Sequence, residues 1–134
     1  MPTRLLPAAL LVLAMPTADA ADKRPMRVDD LFRLKRVADP QVSPDGKQVV
    51  YQVTAVDLEG NKTTTALWLA DTDGKGTPRQ LTNPNGKADR HPRWSPDGKT
   101  VLFESTRSGP QQLWAIRLDG GQPTQLTTIS TRAG

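Results

Sequence analysis

Few residues in this chain could carry chemistry. Its serines are Ser43, Ser95, Ser105, Ser108 and Ser130, and its only histidine is His91. A nucleophilic serine needs a base to take its proton and a third group to orient that base. In α/β-hydrolases it also sits in a Gly-x-Ser-x-Gly elbow, a pattern that flanks none of these serines. Ser95 follows His91 by four positions, but Ser95 opens a Ser-Pro-Asp-Gly turn whose other copy, at Ser43, has no histidine beside it. His91 therefore reads as a surface loop histidine. Asp71-Thr72-Asp73-Gly74 begins like a calcium loop but lacks the later acidic ligands and the closing glutamate, so it reads as a turn between strands. A lone histidine without cysteine does not build a zinc site. Asp119-Gly120-Gly121 follows a strand without opening a helix, which is the wrong context for holding phosphate. The sequence thus assigns no catalytic, cofactor-binding or metal-binding residue, and no cofactor is expected.

The elements that would carry any site are set by an internal repeat. Ser43-Pro44-Asp45-Gly46 returns as Ser95-Pro96-Asp97-Gly98, a spacing of 52 (95 − 43). Lys47-Gln48-Val49-Val50-Tyr51 pairs with Lys99-Thr100-Val101-Leu102-Phe103, Leu67-Trp68-Leu69-Ala70 with Leu113-Trp114-Ala115-Ile116, and Pro78-Arg79-Gln80-Leu81-Thr82 with Pro123-Thr124-Gln125-Leu126-Thr127. The offset drops to 46 (114 − 68) at the tryptophans, so the first copy holds six extra residues, expected in a lengthened loop at Val56 to Lys62. Such a period fits a four-stranded propeller blade.

In each copy the Ser-Pro-Asp-Gly turn suits type I geometry, with proline where φ is already fixed and glycine where φ turns positive. It joins strand one, Pro40 to Ser43 or Pro92 to Ser95, to strand two. Strands two and three are apolar on both faces: Val49, Tyr51 and Val53 oppose Val50, and Leu67 and Leu69 oppose Trp68. Burial on both faces is the pattern of a blade stacked between neighbours. The fold class expected is all-β: a partial β-propeller of about two four-stranded blades, with residues 39–86 as the first and 87–128 as the second. Tyr51, Phe103, Trp68, Trp114 and Trp94 occupy repeat positions and read as core. Burying both faces would leave the end blades wet, so self-association through exposed blade faces is expected.

Residues 1–20 carry one positive charge, Arg4, then the apolar run Leu5 to Met15, then Ala18-Asp19-Ala20 with small residues at the two positions a signal peptidase inspects. The run is too short for the roughly 20 residues that span a bilayer. Cleavage after Ala20 and a periplasmic or secreted location are expected, without stable membrane insertion. With no cysteine, the exported chain would rely on its core rather than on disulfides. Residues 21–38 read as a linker and a short helix over Val28 to Val37, with Val28, Leu31 and Phe32 at helical spacing and acidic residues ahead of basic ones. Lys23, Arg24, Arg27, Arg33, Lys35 and Arg36 cluster there as an alternative basic docking patch. The net charge of +4 comes with no groove-reading motif, so nucleic acid is not an expected partner.

The string Asp30-Leu31-Phe32 through Leu34-Lys35-Arg36-Val37-Ala38-Asp39-Pro40-Gln41-Val42, running into the first turn, resembles the start of secreted bacterial serine peptidases of the prolyl oligopeptidase family, in the dipeptidyl peptidase and acylaminoacyl peptidase branch. The resemblance implies a propeller that screens which peptides reach a C-terminal α/β-hydrolase domain, with peptides as partners where that domain is present. It also implies that residues 129–134 begin a third repeat, so the chain would be the N-terminal portion of such an enzyme, inactive by itself. A stand-alone periplasmic TolB-type binding propeller is the alternative.

Overall fold

A computed structural model describes residues 24–130. The expected signal peptide at 1–20 lies outside the described residues, as does Lys23. From the N-terminus, α1 (Val28–Arg33) precedes a four-stranded antiparallel sheet of β1 (Arg36–Val42), β2 (Gln48–Asp57), β3 (Lys62–Asp71) and β4 (Arg79–Gln80). A second sheet in the same order follows, with β5 (Asp89–Trp94), β6 (Thr100–Ser105), β7 (Gln112–Arg117) and β8 (Thr124–Gln125). Each sheet is one blade. Strands β1 and β5 pack together while β4 and β8 do not touch; the blades are wedged, with their first strands convergent, as around a propeller axis.

The repeat turn closes identically in both copies. The Ser43 hydroxyl donates to Asp45 at 2.5 Å and accepts the Gln48 amide at 3.0 Å, while Asp45 accepts the Lys47 amide at 3.0 Å. Ser95, Asp97, Lys99 and Thr100 repeat the arrangement. The amides of Gly46 and Gly98 donate to the carbonyls of Ser43 and Ser95. Their φ angles of 72° and 68° lie in the left-handed region that glycine reaches without strain.

Three local expectations are corrected. Strand one begins at Arg36, not Pro40, and in the second copy at Asp89, so the first blade starts inside the segment read as linker. Each strand crosses its proline by a bulge, between Ala38 and Gln41 and between Arg90 and Arg93, which places the residue lacking an N–H where the ladder is already interrupted. Asp39 and His91 sit at equivalent bulge positions with φ of 48° and 52°. His91 is thus a strand residue and not a loop one. The helix is correspondingly shorter than expected, ending at Arg33.

The six extra residues of the first copy also do not lengthen a loop. Strands β2 and β3 have 10 residues each around a four-residue turn, Leu58 to Asn61, whereas β6 and β7 have 6 each around the six residues Thr106 to Gln111. Eight residues gained in strand less two lost in turn give the six. The ladder runs out through Ala55 opposite Thr64 and Val56 opposite Thr63, because β-branched residues there favour extended backbone.

The core is the seam between blades. Val50, Leu67 and Leu69 from one face of the first sheet form one buried cluster with Val101, Phe103 and Ile116 of the second, edged by Leu81, Trp94, Trp114 and Leu118. Full burial of Phe103 alone is worth about 1.5 to 3 kcal/mol.

Candidate functional site

Polar groups tie the seam along the convergent strands. The Trp94 indole donates to the Gln41 carbonyl at 2.8 Å, Arg93 pairs with Asp39 at 3.1 Å, and the His91 amide donates to Gln52 Oε1 at 3.3 Å. The Thr65 amide reaches the Lys87 carbonyl at 3.3 Å, next to an isolated parallel bridge between Thr65 and Ala88. Burial raises the Asp39 carboxyl, but hydrogen bonds from Arg93 and Gln41 outweigh it and hold the group below its ordinary value.

Ser95 and His91 are not brought together. The Ser95 hydroxyl is committed to Asp97 and the Thr100 amide. The His91 ring meets Glu104 through Nδ1 at 3.0 Å, and Gln111 binds the same carboxylate. Asp45 and Asp97 have their carboxyls lowered by the serine hydroxyl first and the lysine amide second, which marks them as turn-stabilising anions. Asp71 and Asp73 cap the turn after β3, where Gly74 takes a φ of 71° and donates to the Asp71 carbonyl. Among the described residues no cluster of acidic, histidine and cysteine groups has the geometry to hold a metal ion.

The arrangement offers binding faces. On the first blade, Lys35, Val37, Tyr51, Val53, Trp68 and Pro78 line a shallow concavity of about 200 Å³, with the Lys35 ammonium 5.9 Å from the Trp68 ring centre. On the second, His91, Arg93, Leu102, Phe103, Glu104 and Leu113 line another of about 350 Å³. In the basic segment, Arg24 pairs with Asp30 at 2.6 Å, and that bond is the main reason the Asp30 carboxyl is lowered to about 2.

One constellation was not anticipated from sequence. Asp89 is fully buried and pairs with Arg107 at 2.5 Å; Arg107 also donates to Ser105 and lies over the rings of Phe103 and Trp114. The signal was available in the repeat, because Asp89, Ser105 and Arg107 replace Val37, Val53 and Ala55 of the first copy. Polar residues at three apolar repeat positions mark a paired network.

The chain matches the PD40 family model, described as TolB beta propeller domain, over residues 32–133. It is 34% identical over 108 residues to the uncharacterized peptidase YuxL of Bacillus subtilis, covering 80% of this chain and 16% of that one. It is 32% identical over 114 residues to dipeptidyl-peptidase 5 of Porphyromonas endodontalis, covering 85% and 16%. The chain thus spans about a sixth of the length of these curated relatives. Among solved structures, the acylaminoacyl peptidase of Pyrococcus horikoshii superposes with a TM-score of 0.60 at 22% identity, over 75% of this chain and 15% of that one, which shows a shared fold. The chain belongs to the TolB β-propeller domain family, and its two blades fit the propeller portion of a prolyl-oligopeptidase-family peptidase.

Proposed function

We propose that the chain is the N-terminal propeller portion of a secreted serine peptidase of the prolyl oligopeptidase family, where it screens peptides on their way to an α/β-hydrolase domain. The observation that carries this reading is the alignment of more than four-fifths of the chain with dipeptidyl-peptidase 5. Its chemistry is in keeping: the serines in the repeat turns are held by aspartates, and the exposed faces carry apolar and charged side chains suited to contact rather than catalysis. Export follows from the Arg4, Leu5 to Met15 and Ala18-Asp19-Ala20 pattern, and among the described residues no helix is long and apolar enough to cross a membrane.

Reading the DNA that follows the Gly134 codon, in every frame, tests the proposal. Further Ser-Pro-Asp-Gly repeats leading to a Gly-x-Ser-x-Gly elbow are expected; unrelated sequence would contradict it. A second reading, an envelope-binding module of the TolB kind, draws on the description of the matching family. It predicts co-purification with an envelope partner from a crosslinked periplasmic extract.

A further inference from the structure

The two open faces of the molecule are the two halves of its own seam. Repeat spacing maps the seam face of the first blade, Val50, Leu67 and Leu69, onto Leu102, Leu113 and Ala115, which line the far side of the second blade. It also maps Val101, Phe103, Trp114 and Ile116 onto Val49, Tyr51, Trp68 and Ala70, on the far side of the first. The pairings agree residue for residue: Val50 stands opposite Leu69 and Leu102 opposite Ala115, while Tyr51 stands opposite Trp68 and Phe103 opposite Trp114. One aliphatic face and one aromatic face are left open, and the closed seam shows that faces of these two kinds dock.

We propose that the aliphatic face of the second blade binds the aromatic face of the first blade of a second copy, head to tail, repeating the seam between molecules. Applying the seam's own bridge between Thr65 and Ala88 to the open faces brings Gln111 of one copy beside Arg36 of the next. This sets Lys35 and Arg36 near Glu104, which Gln111 already contacts, so the charges complement. Leu113 is 42% exposed, Val42 59% and Val37 64%, leaving apolar surface on both partners to be covered. A head-to-tail contact is heterologous and propagates until it closes. With two blades per copy, closure falls at about two to four copies, given that propellers carry roughly four to eight blades. The inference goes beyond the peptidase reading and is tested separately from it.

Light scattering coupled to size exclusion, on the full chain across a concentration series, reads the association. Leu113→Glu should disable one face and Val42→Glu the other, each raising the midpoint concentration roughly tenfold or more. Both sites are exposed, and unchanged tryptophan fluorescence checks that each variant is folded. Mixing the two variants should restore a dimer and stop there, since only one good pair of faces remains. Val42→Trp, which places an indole where Trp94 anchors the existing seam, should lower the midpoint several-fold. A chain that stays monomeric throughout, or variants that fail to complement on mixing, would overturn the proposal.

Discussion

Arg107 closes on the fully buried carboxylate of Asp89 at 2.5 Å, at the repeat positions where the first blade carries Ala55 and Val37. The same place in the two blades is therefore built in two ways, one ionic and one apolar. Removing one member of a buried pair strands the other charge, which costs about 3 to 5 kcal/mol. Arg107→Ala should destabilise the fold by that amount in urea titration. The triple change Asp89→Val, Ser105→Val and Arg107→Ala copies the first blade and should recover most of the loss.

Phe103 and Tyr51 occupy equivalent positions with different surroundings, the first in the seam and the second on an open face. Phe103→Ala should cost about 3 to 5 kcal/mol through lost burial and a residual cavity. Tyr51→Ala in the monomer should cost less than about 1.5 kcal/mol. Equal effects in chemical denaturation would contradict the assignment of the core to the seam.

The repeat turns are testable one atom at a time. Gly46→Ala meets no atom within 4 Å of the added methyl, so its cost is conformational alone, about 1 to 2 kcal/mol for a left-handed residue with a side chain. Ser43→Ala leaves the Gln48 amide without its partner and should cost about 1 kcal/mol. Thermal unfolding of the two single variants checks both figures.

The repeat and its turns carried most of the fold at the level of sequence, because turn chemistry and apolar pairing are local and doubled. Strand limits near proline were not legible: Asp39-Pro40 and His91-Pro92 look like strand starts, and only the ladder shows the bulge that lets each strand continue. The hairpin of the first blade was misjudged for a related reason, since Val56 and Lys62 are paired across a tight turn rather than looped out. Of the candidate chemistry, the turn serines and His91 were placed near their observed roles. The Asp89 and Arg107 pair depends on a contact across 18 residues, which no local pattern reveals.

Acid should unfold the chain through its turns. Asp45 and Asp97 have folded-state carboxyls below the ordinary value of 3.8, held by the serine hydroxyls and then the lysine amides. A depressed carboxyl stabilises fully above its unfolded value and is lost as pH falls through its folded one. These two groups should leave stability flat from pH 7 to about 4 and lower it below that, with Asp30 extending the window from 3.8 down to about 2. Unfolding monitored by tryptophan fluorescence should show a shallower acid loss in the Asp45→Asn, Asp97→Asn double variant.

Whether the chain screens peptides without cutting them is decided most directly by hydrolysis. Purified chain incubated with dipeptidyl and acylaminoacyl chromogenic substrates should give no turnover above the uncatalysed rate, because the Ser95 hydroxyl is bound to Asp97 and the His91 ring to Glu104. Turnover that follows the protein through successive columns and vanishes in Ser95→Ala would contradict it.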